Sequence, residues 1–173
     1  MEPNWLDDEQ RAAWVRLAAV VELLPGRLDA QLRRDADLSH YEYWVLSMLS
    51  EAPRLTLRMT ALAAKTNATL PRLSHVVSRL EGRGFIERSP CPEDGRATNA
   101  RLTEEGWAKV VASAPGHVEA VRGYVIDALT ARQISQLTAI TEAILARVDP
   151  DSVIGSRYDE APETSSPGQD RAS

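Results

Sequence analysis

The residues best suited to chemistry lie between positions 69 and 106, TLPRLSHVVSRLEGRGFIERSPCPEDGRATNARLTEEG. Leu73, Val76, Val77 and Leu80 recur with the period of one buried helical stripe. At about 100° per residue, His75, Ser78 and Gly82 project on the opposite side, with Arg72 and Arg79 on one flank and Ser74 on the other. No carboxylate interrupts that face before Glu81. An ordinary solvated amphipathic helix mixes both signs of charge. Short polar and cationic groups without acids suit the base edges of a DNA major groove, where carboxylates are mostly repelled. Arg72, Ser74, His75 and Ser78 are expected to approach base edges, and Thr69 and Arg79 to lie nearer phosphates.

The segment that follows has to position this face. Phe85 and Ile86 begin a short β run, Pro92-Glu93-Asp94-Gly95 supplies turn residues, and Asn99 to Leu102 returns. Arg96, at or just past the tip of such a ribbon, can reach a minor groove, where negative potential concentrates. Asp94 is expected to orient it through a bidentate pair, with Arg88 and Arg101 closer to the DNA backbone. Asp-Gly alone is only a common turn. A recognition-type helix joined through Gly84 to a hairpin is a more specific combination, a winged helix-turn-helix.

These residues resemble the MarR family of bacterial transcription regulators (multiple antibiotic resistance regulators). The matching positions are Leu62-Ala63, Leu80-Glu81, Gly84, Glu87-Arg88, Asp94-Gly95-Arg96, Leu102-Thr103 and Gly106, with a weaker likeness from about Asp7 to Val148. The resemblance implies a homodimer whose N- and C-terminal helices intertwine, bound to a pseudo-palindromic double-stranded operator, most often as a repressor. It further implies a small aromatic or phenolic ligand between the dimer helices and the winged region. His40, Tyr41 and Trp44, with Trp14, are the candidate lining residues; the alternative is that these aromatics only fill the core and dimer interface.

Composition agrees. The chain has 173 residues, 43% of them apolar, enough for one core with appendages. Its net charge is −5, but from Arg58 to Leu102 eight Lys/Arg stand against four Asp/Glu, a local +4 on an acidic body. The N-terminus, MEPNWLDDEQ, is acidic rather than basic-then-apolar, and no run is long enough for a membrane span, so a soluble cytoplasmic protein is expected.

The rest reads as helix, giving a mainly α fold with a small β-wing. Asp7 with Gln10, Ser39 with Glu42 and Thr130 with Gln133 form capping boxes, and Thr103 caps a further helix. Leu38 and Tyr43 occupy staple positions around Ser39. Pro25-Gly26 is expected to kink or break the first helix, and Pro115-Gly116 to bend a later one. Residues 1–37 and 104–149 are assigned to dimerisation and 38–103 to DNA binding. Residues 150–173, rich in Asp, Glu, Ser, Pro and Gly, are expected to be disordered. Leu17, Val20, Val21 and Leu24, and Ile134 to Leu145, offer more apolar surface than one small domain covers, which favours a two-fold dimer.

Catalysis is not indicated. His40, His75 and His117 have no metal-ligand spacing, and GxGxxG, P-loop and GxSxG motifs are absent, so neither metal nor cofactor is expected. Two other readings stay open: a winged-helix protein-interaction module, and a thiol-based sensor acting through Cys91. Against the second, acidic Glu93 and Asp94 follow Cys91 and no Lys or His adjoins it. The reactive cysteine that redox-sensing relatives place near the first helix is missing.

Overall fold

Local signals set the helix boundaries. In the computed structural model, which describes residues 3–92, 94–151 and 153–154, α1 spans Asp8–Ala36 and α2 His40–Ser50. A 3₁₀ turn at Pro53–Leu55 leads to β1 (Thr56–Arg58), α3 (Met59–Lys65) and α4 (Leu70–Gly82). Then come β2 (Ile86–Cys91), β3 (Asp94–Leu102), α5 (Glu104–Tyr124), a 3₁₀ turn at Ile126–Ala128 and α6 (Ala131–Val148). The fold is mainly α with a small antiparallel sheet.

The three capping boxes are all formed. Asp7, Ser39 and Thr130 accept from the backbone N–H three residues on, and Gln10, Glu42 and Gln133 accept from the cap N–H in return. The Leu38 and Tyr43 staple positions around Ser39 are both buried. The two internal prolines do not end their helices: α1 runs on through Pro25 and α5 through Pro115. Each removes one N–H from a long ladder, and the turns on either side keep their own bonds. α1 stops at Asp37, whose left-handed backbone (φ 49°) closes the last turn.

The sheet has the order β1-β3-β2, with both pairings antiparallel. Its return strand is longer than the sequence suggests, beginning at Asp94 rather than Asn99. Pairing runs regularly from Ile86↔Leu102 to Pro90↔Thr98, then jumps to Cys91↔Asp94. Gly95, Arg96 and Ala97 therefore bulge out of the ladder, a device that re-aims side chains at strand tips.

Two glycines fix the base of this hairpin. Gly84 adopts φ +78°, a conformation open to glycine without strain. A Cβ on Gly106 would lie 2.1 Å from the Phe85 carbonyl oxygen, so only glycine lets α5 start that close to the sheet. Thr103 ties the corner together: its hydroxyl donates to the Gly84 carbonyl (2.6 Å) and accepts from the Gly106 N–H (3.0 Å).

The core contains Leu32, Leu38, Val45, Leu46, Leu49, Leu62, Leu73, Val77, Leu80, Ile86, Ala100 and Leu102, all nearly or fully buried. It gathers the end of α1 with α2, α3, α4 and the sheet. α6 buries no residue. The expectation of a disordered tail over residues 150–173 falls mostly outside the described residues; within them, the Val153 and Ile154 N–H groups donate to the Asp149 carboxylate (3.1 and 2.8 Å). No helix among the described residues is long and apolar enough to cross a membrane.

Candidate nucleic-acid interface

α3 and α4 meet through a tight turn. The Asn67 N–H donates to Ala64 and the Ala68 N–H to Ala63, and Asn67 sits at φ 48°, a left-handed position that Asn tolerates better than most residues. Leu73, Val76, Val77 and Leu80 on α4 face the core. Away from it, Arg72, His75, Ser78 and Arg79 are exposed and Ser74 is half-buried, while Thr69 is exposed at the N-cap. Arg72, Ser74, His75, Ser78 and Arg79 lie off the buried stripe, as the sequence period assigns them.

Partners differ sharply among the basic side chains. Arg79 donates to Glu42 Oε1 (2.7 Å), a carboxylate whose side chain is only 7% exposed. Burial pushes the Glu42 carboxyl upward, but hydrogen bonds from Ser39 and Arg79 outweigh it and hold the group below its ordinary value. Arg83 donates to the Asp37 carbonyl (2.9 Å) and carboxylate (3.0 Å). Arg88 engages Glu81 with both its backbone N–H and its guanidinium. Arg101 donates to Glu87 (2.6 Å) across the strands. The Arg83, Arg88 and Arg101 pairs are open to solvent, which screens them, so phosphates can displace them at little cost, whereas Arg79 rests on a buried carboxylate and is held more firmly.

Arg72 and Arg96 are arranged otherwise. The Arg72 guanidinium lies over the Tyr41 ring, 4.7 Å from its centroid. Arg96 is exposed at the centre of the bulge, and among the described residues its guanidinium has no hydrogen-bond or ion-pair partner. Asp94 does not hold that guanidinium in a bidentate pair, as its sequence neighbourhood suggests. Its Oδ1 accepts from the Arg96 backbone N–H (3.1 Å), a local turn bond that shapes the bulge and leaves the side chain to project.

A cleft of about 210 Å³ separates α4 from the wing, lined by Arg58, Thr60, Ser74, Arg88, Arg96 and Thr98 among others. Arg58, Thr60 and Thr98 were not singled out from the sequence. Arg58 marks the edge of the basic span, a signal that pointed to it; Thr60 and Thr98 reach the cleft from α3 and β3.

The aromatic residues do not form one cluster. The rings of His40 and His117 lie 5.9 Å apart, and Tyr43 lies 4.7 Å from His117. Tyr41 and Trp44 pack on the core margin. Trp14, 59% exposed, stands four turns of α1 before Asp29, the residue that accepts the His40 N–H (2.8 Å). That is about 22 Å along the helix, too far to share a pocket with His40 in one protomer. Burial lowers the proton affinity of His40, opposed by Asp29, and lowers that of His117, reinforced by His40. Gln31 Oε1 and His117 Nδ1 are buried there without a hydrogen-bond partner among the described residues. Cys91 is 5% exposed, and a thiol sensor depends on access for its oxidant.

A profile of the MarR family matches residues 38–98. The structure of Sco3205, a MarR family transcriptional regulator from Streptomyces coelicolor solved in complex with DNA, is 43% identical and superposes with a TM-score of 0.80 over 84% of this chain and 91% of that one. The chain belongs to the MarR family. Its coarse role is accordingly that of a DNA-binding transcription regulator. Among curated relatives, YdcH, an uncharacterized HTH-type transcriptional regulator of Bacillus subtilis, is 37% identical over 83 residues, 46% of this chain and 55% of its own length. YetL, an HTH-type transcriptional repressor of the same organism, is 31% identical over 109 residues, 58% of this chain and 65% of its own. The chain thus spans roughly half to two thirds of these two curated relatives.

Proposed function

We propose that this regulator is a homodimer that binds a pseudo-palindromic operator and represses transcription. α4 enters the major groove with Arg72, Ser74, His75 and Ser78 at base edges, and Thr69 and Arg79 toward phosphates. The wing reaches the flanking minor groove through Arg96, shaped by Asp94, with Arg88 and Arg101 beside the backbone. Residues 38–103 form the reading unit, and residues 1–37 and 104–149 the dimerisation unit. The single observation that supports this most is the pairing of an acid-free exposed α4 face with a bulged wing whose Arg96 guanidinium is uncommitted. The similarity to Sco3205, itself solved with DNA, and to YetL, itself named a repressor, supports the same reading. A gel-shift titration against the DNA upstream of its own gene tests it. Specific retardation that weakens steeply with salt is expected; retardation no different from that of unrelated DNA contradicts it.

Release by a small aromatic or phenolic ligand is the companion reading. It is supported by the half-buried His40, Tyr41 and Trp44 and by the unpartnered polar atoms of Gln31 and His117. Titration with p-hydroxybenzoate, followed by calorimetry and by loss of the DNA complex, checks it.

A further inference from the structure

Tyr41 stands where three elements of the reading unit meet. It is half-buried in the first turn of α2, and its hydroxyl lies 3.0 Å from Thr66 Oγ1 at the end of α3. Thr66 is 1% exposed, and its own hydroxyl lies 2.7 Å from the Leu62 carbonyl. A threonine hydroxyl has one hydrogen, and here it is committed to Leu62, so Tyr41 is the donor in the bond between them. The phenol is thereby pinned at its far end to the helix that precedes the turn. Across the face of the same ring, 4.7 Å from its centroid, sits the guanidinium carbon of Arg72 on α4.

The other arginines of α4 and its cap are held by oxygen: Arg79 by Glu42, and Arg83 by Asp37. An oxygen partner occupies N–H donors that DNA also needs. A ring fixes the plane of a guanidinium electrostatically and leaves its donor edge free. The sequence places Tyr41 among the aromatic candidates for a ligand pocket, whereas its nearest charged neighbour is a base-reading candidate.

We propose that Tyr41 is a specificity-determining positioning residue, anchored through Thr66, whose ring holds Arg72 in the orientation that reads one base step. This rests on the reading of α4 as the helix that contacts bases. It also gives α2 a direct mechanical route to specificity, since any displacement of the α2 first turn moves the support under Arg72.

The full chain is tested as wild type, Tyr41→Leu, Tyr41→Phe, Arg72→Ala and the Tyr41→Leu/Arg72→Ala double variant. The probe is the tightest duplex that the wild type selects from a random pool, together with every single-base variant of it. Tyr41→Leu is expected to lose about three- to tenfold of discrimination at the positions that Arg72→Ala relaxes, and little elsewhere. Tyr41→Phe keeps the ring and restores most of that discrimination, and the double variant is no worse than Arg72→Ala. In the free protein, the Arg72 Nε–H proton should resonate upfield through the ring current, move downfield in Tyr41→Leu and stay upfield in Tyr41→Phe. Uniform weakening on all duplexes, or an effect that adds in full to Arg72→Ala, overturns the proposal. So does an Arg72 resonance that ignores the loss of the ring. If the wild type selects no sequence, or Arg72→Ala relaxes none, the interface reading fails instead, and the resonance still reports on the pedestal. Should leucine at position 41 unfold the protein, Thr66→Val loosens the anchor with the ring in place. Partial relaxation at the same positions supports the proposal, and unchanged discrimination overturns it.

Discussion

Among the described residues, every buried hydrophobic lies between Leu28 and Val110, whereas α6 buries none and α1 buries only its last turns. The first region closes a core over itself and then uses its outer face for polar work. The second leaves its apolar side open: Leu137, Ile140 and Ile144 on α6, and Trp14, Leu17 and Val21 on α1, recur at helical spacing and are all exposed. Most of a helix's stability in a protein comes from packing its apolar face, so each needs a surface to pack on. α6 has no extensive contact with another element of its own chain. The contrast teaches that burial separates the two tasks. The first region is stabilised within one protomer, and the proposed dimer would give the flanking helices the surface they lack.

Breaking the second region should have the largest effect on DNA binding. Ile140→Asp puts a charge on the open stripe of α6 and is expected to convert the dimer to monomers while the reading unit stays folded. Linked half-sites gain about 10²- to 10⁴-fold over single ones, so operator affinity should fall within that range. Sedimentation equilibrium alongside a binding titration checks both parts. A variant that remains dimeric would show that the α6 stripe is not the dimer contact.

Breaking the first region should act on stability instead. Leu49→Ala removes a fully buried side chain of α2 and should cost about 2–5 kcal/mol in urea unfolding. Far-UV circular dichroism should then show loss of the reading unit, the reverse of the Ile140→Asp outcome.

Sharper differences lie within the reading unit. Arg72→Ala and Arg96→Ala should each cost about 1–3 kcal/mol of operator binding, without dissociating the dimer. Arg72→Ala should act at one or two base positions. Asp94→Ala should give a milder form of the Arg96 defect, under about 1 kcal/mol, because it removes a turn bond and not a guanidinium contact. Normal affinity in both wing variants would remove the wing from the mechanism.

The smallest effect is on the pH profile. His40 and His117 are half-buried with lowered proton affinity, so the unfolded chain takes up protons first as pH falls. Stability is therefore full above about pH 6.5 and declines as pH drops below it. Glu42 is held below its ordinary value, so its contribution persists in that window and is lost only at more acid pH, as the carboxyl protonates. Urea unfolding at pH 5.5 and 7.5 should show a deficit at the lower pH that shrinks in His117→Gln.

Much of this architecture is legible in the sequence because its causes are local. The capping boxes at Asp7, Ser39 and Thr130 join residues three apart, and the α4 stripe from Leu73 to Leu80 lies within two turns of one helix. What could not be read depends on chain segments meeting in space. Glu42 beneath Arg79, Glu81 on Arg88 and the Tyr41 ring under Arg72 pair residues from different elements. The bulge at Gly95 to Ala97 arises from strand register, which alternation alone does not fix. Pro25 misleads in the opposite direction: it signals a kink or break, yet α1 absorbs one missing bond and runs on to Ala36. Trp14 and His40 fall in the same aromatic-rich stretch, but within one protomer α1 holds them well apart.

The most direct test is a hydroxyl-radical footprint of the wild-type protein on its selected duplex. A two-fold symmetric pattern is predicted, with two protected stretches centred about one helical turn, roughly 34 Å, apart and further protection in the outer minor grooves. The outer protections should disappear in Arg96→Ala while the inner pair remains. A single asymmetric footprint, or outer protections that survive the loss of Arg96, would contradict a symmetric dimer that reads with α4 and steadies itself with the wing.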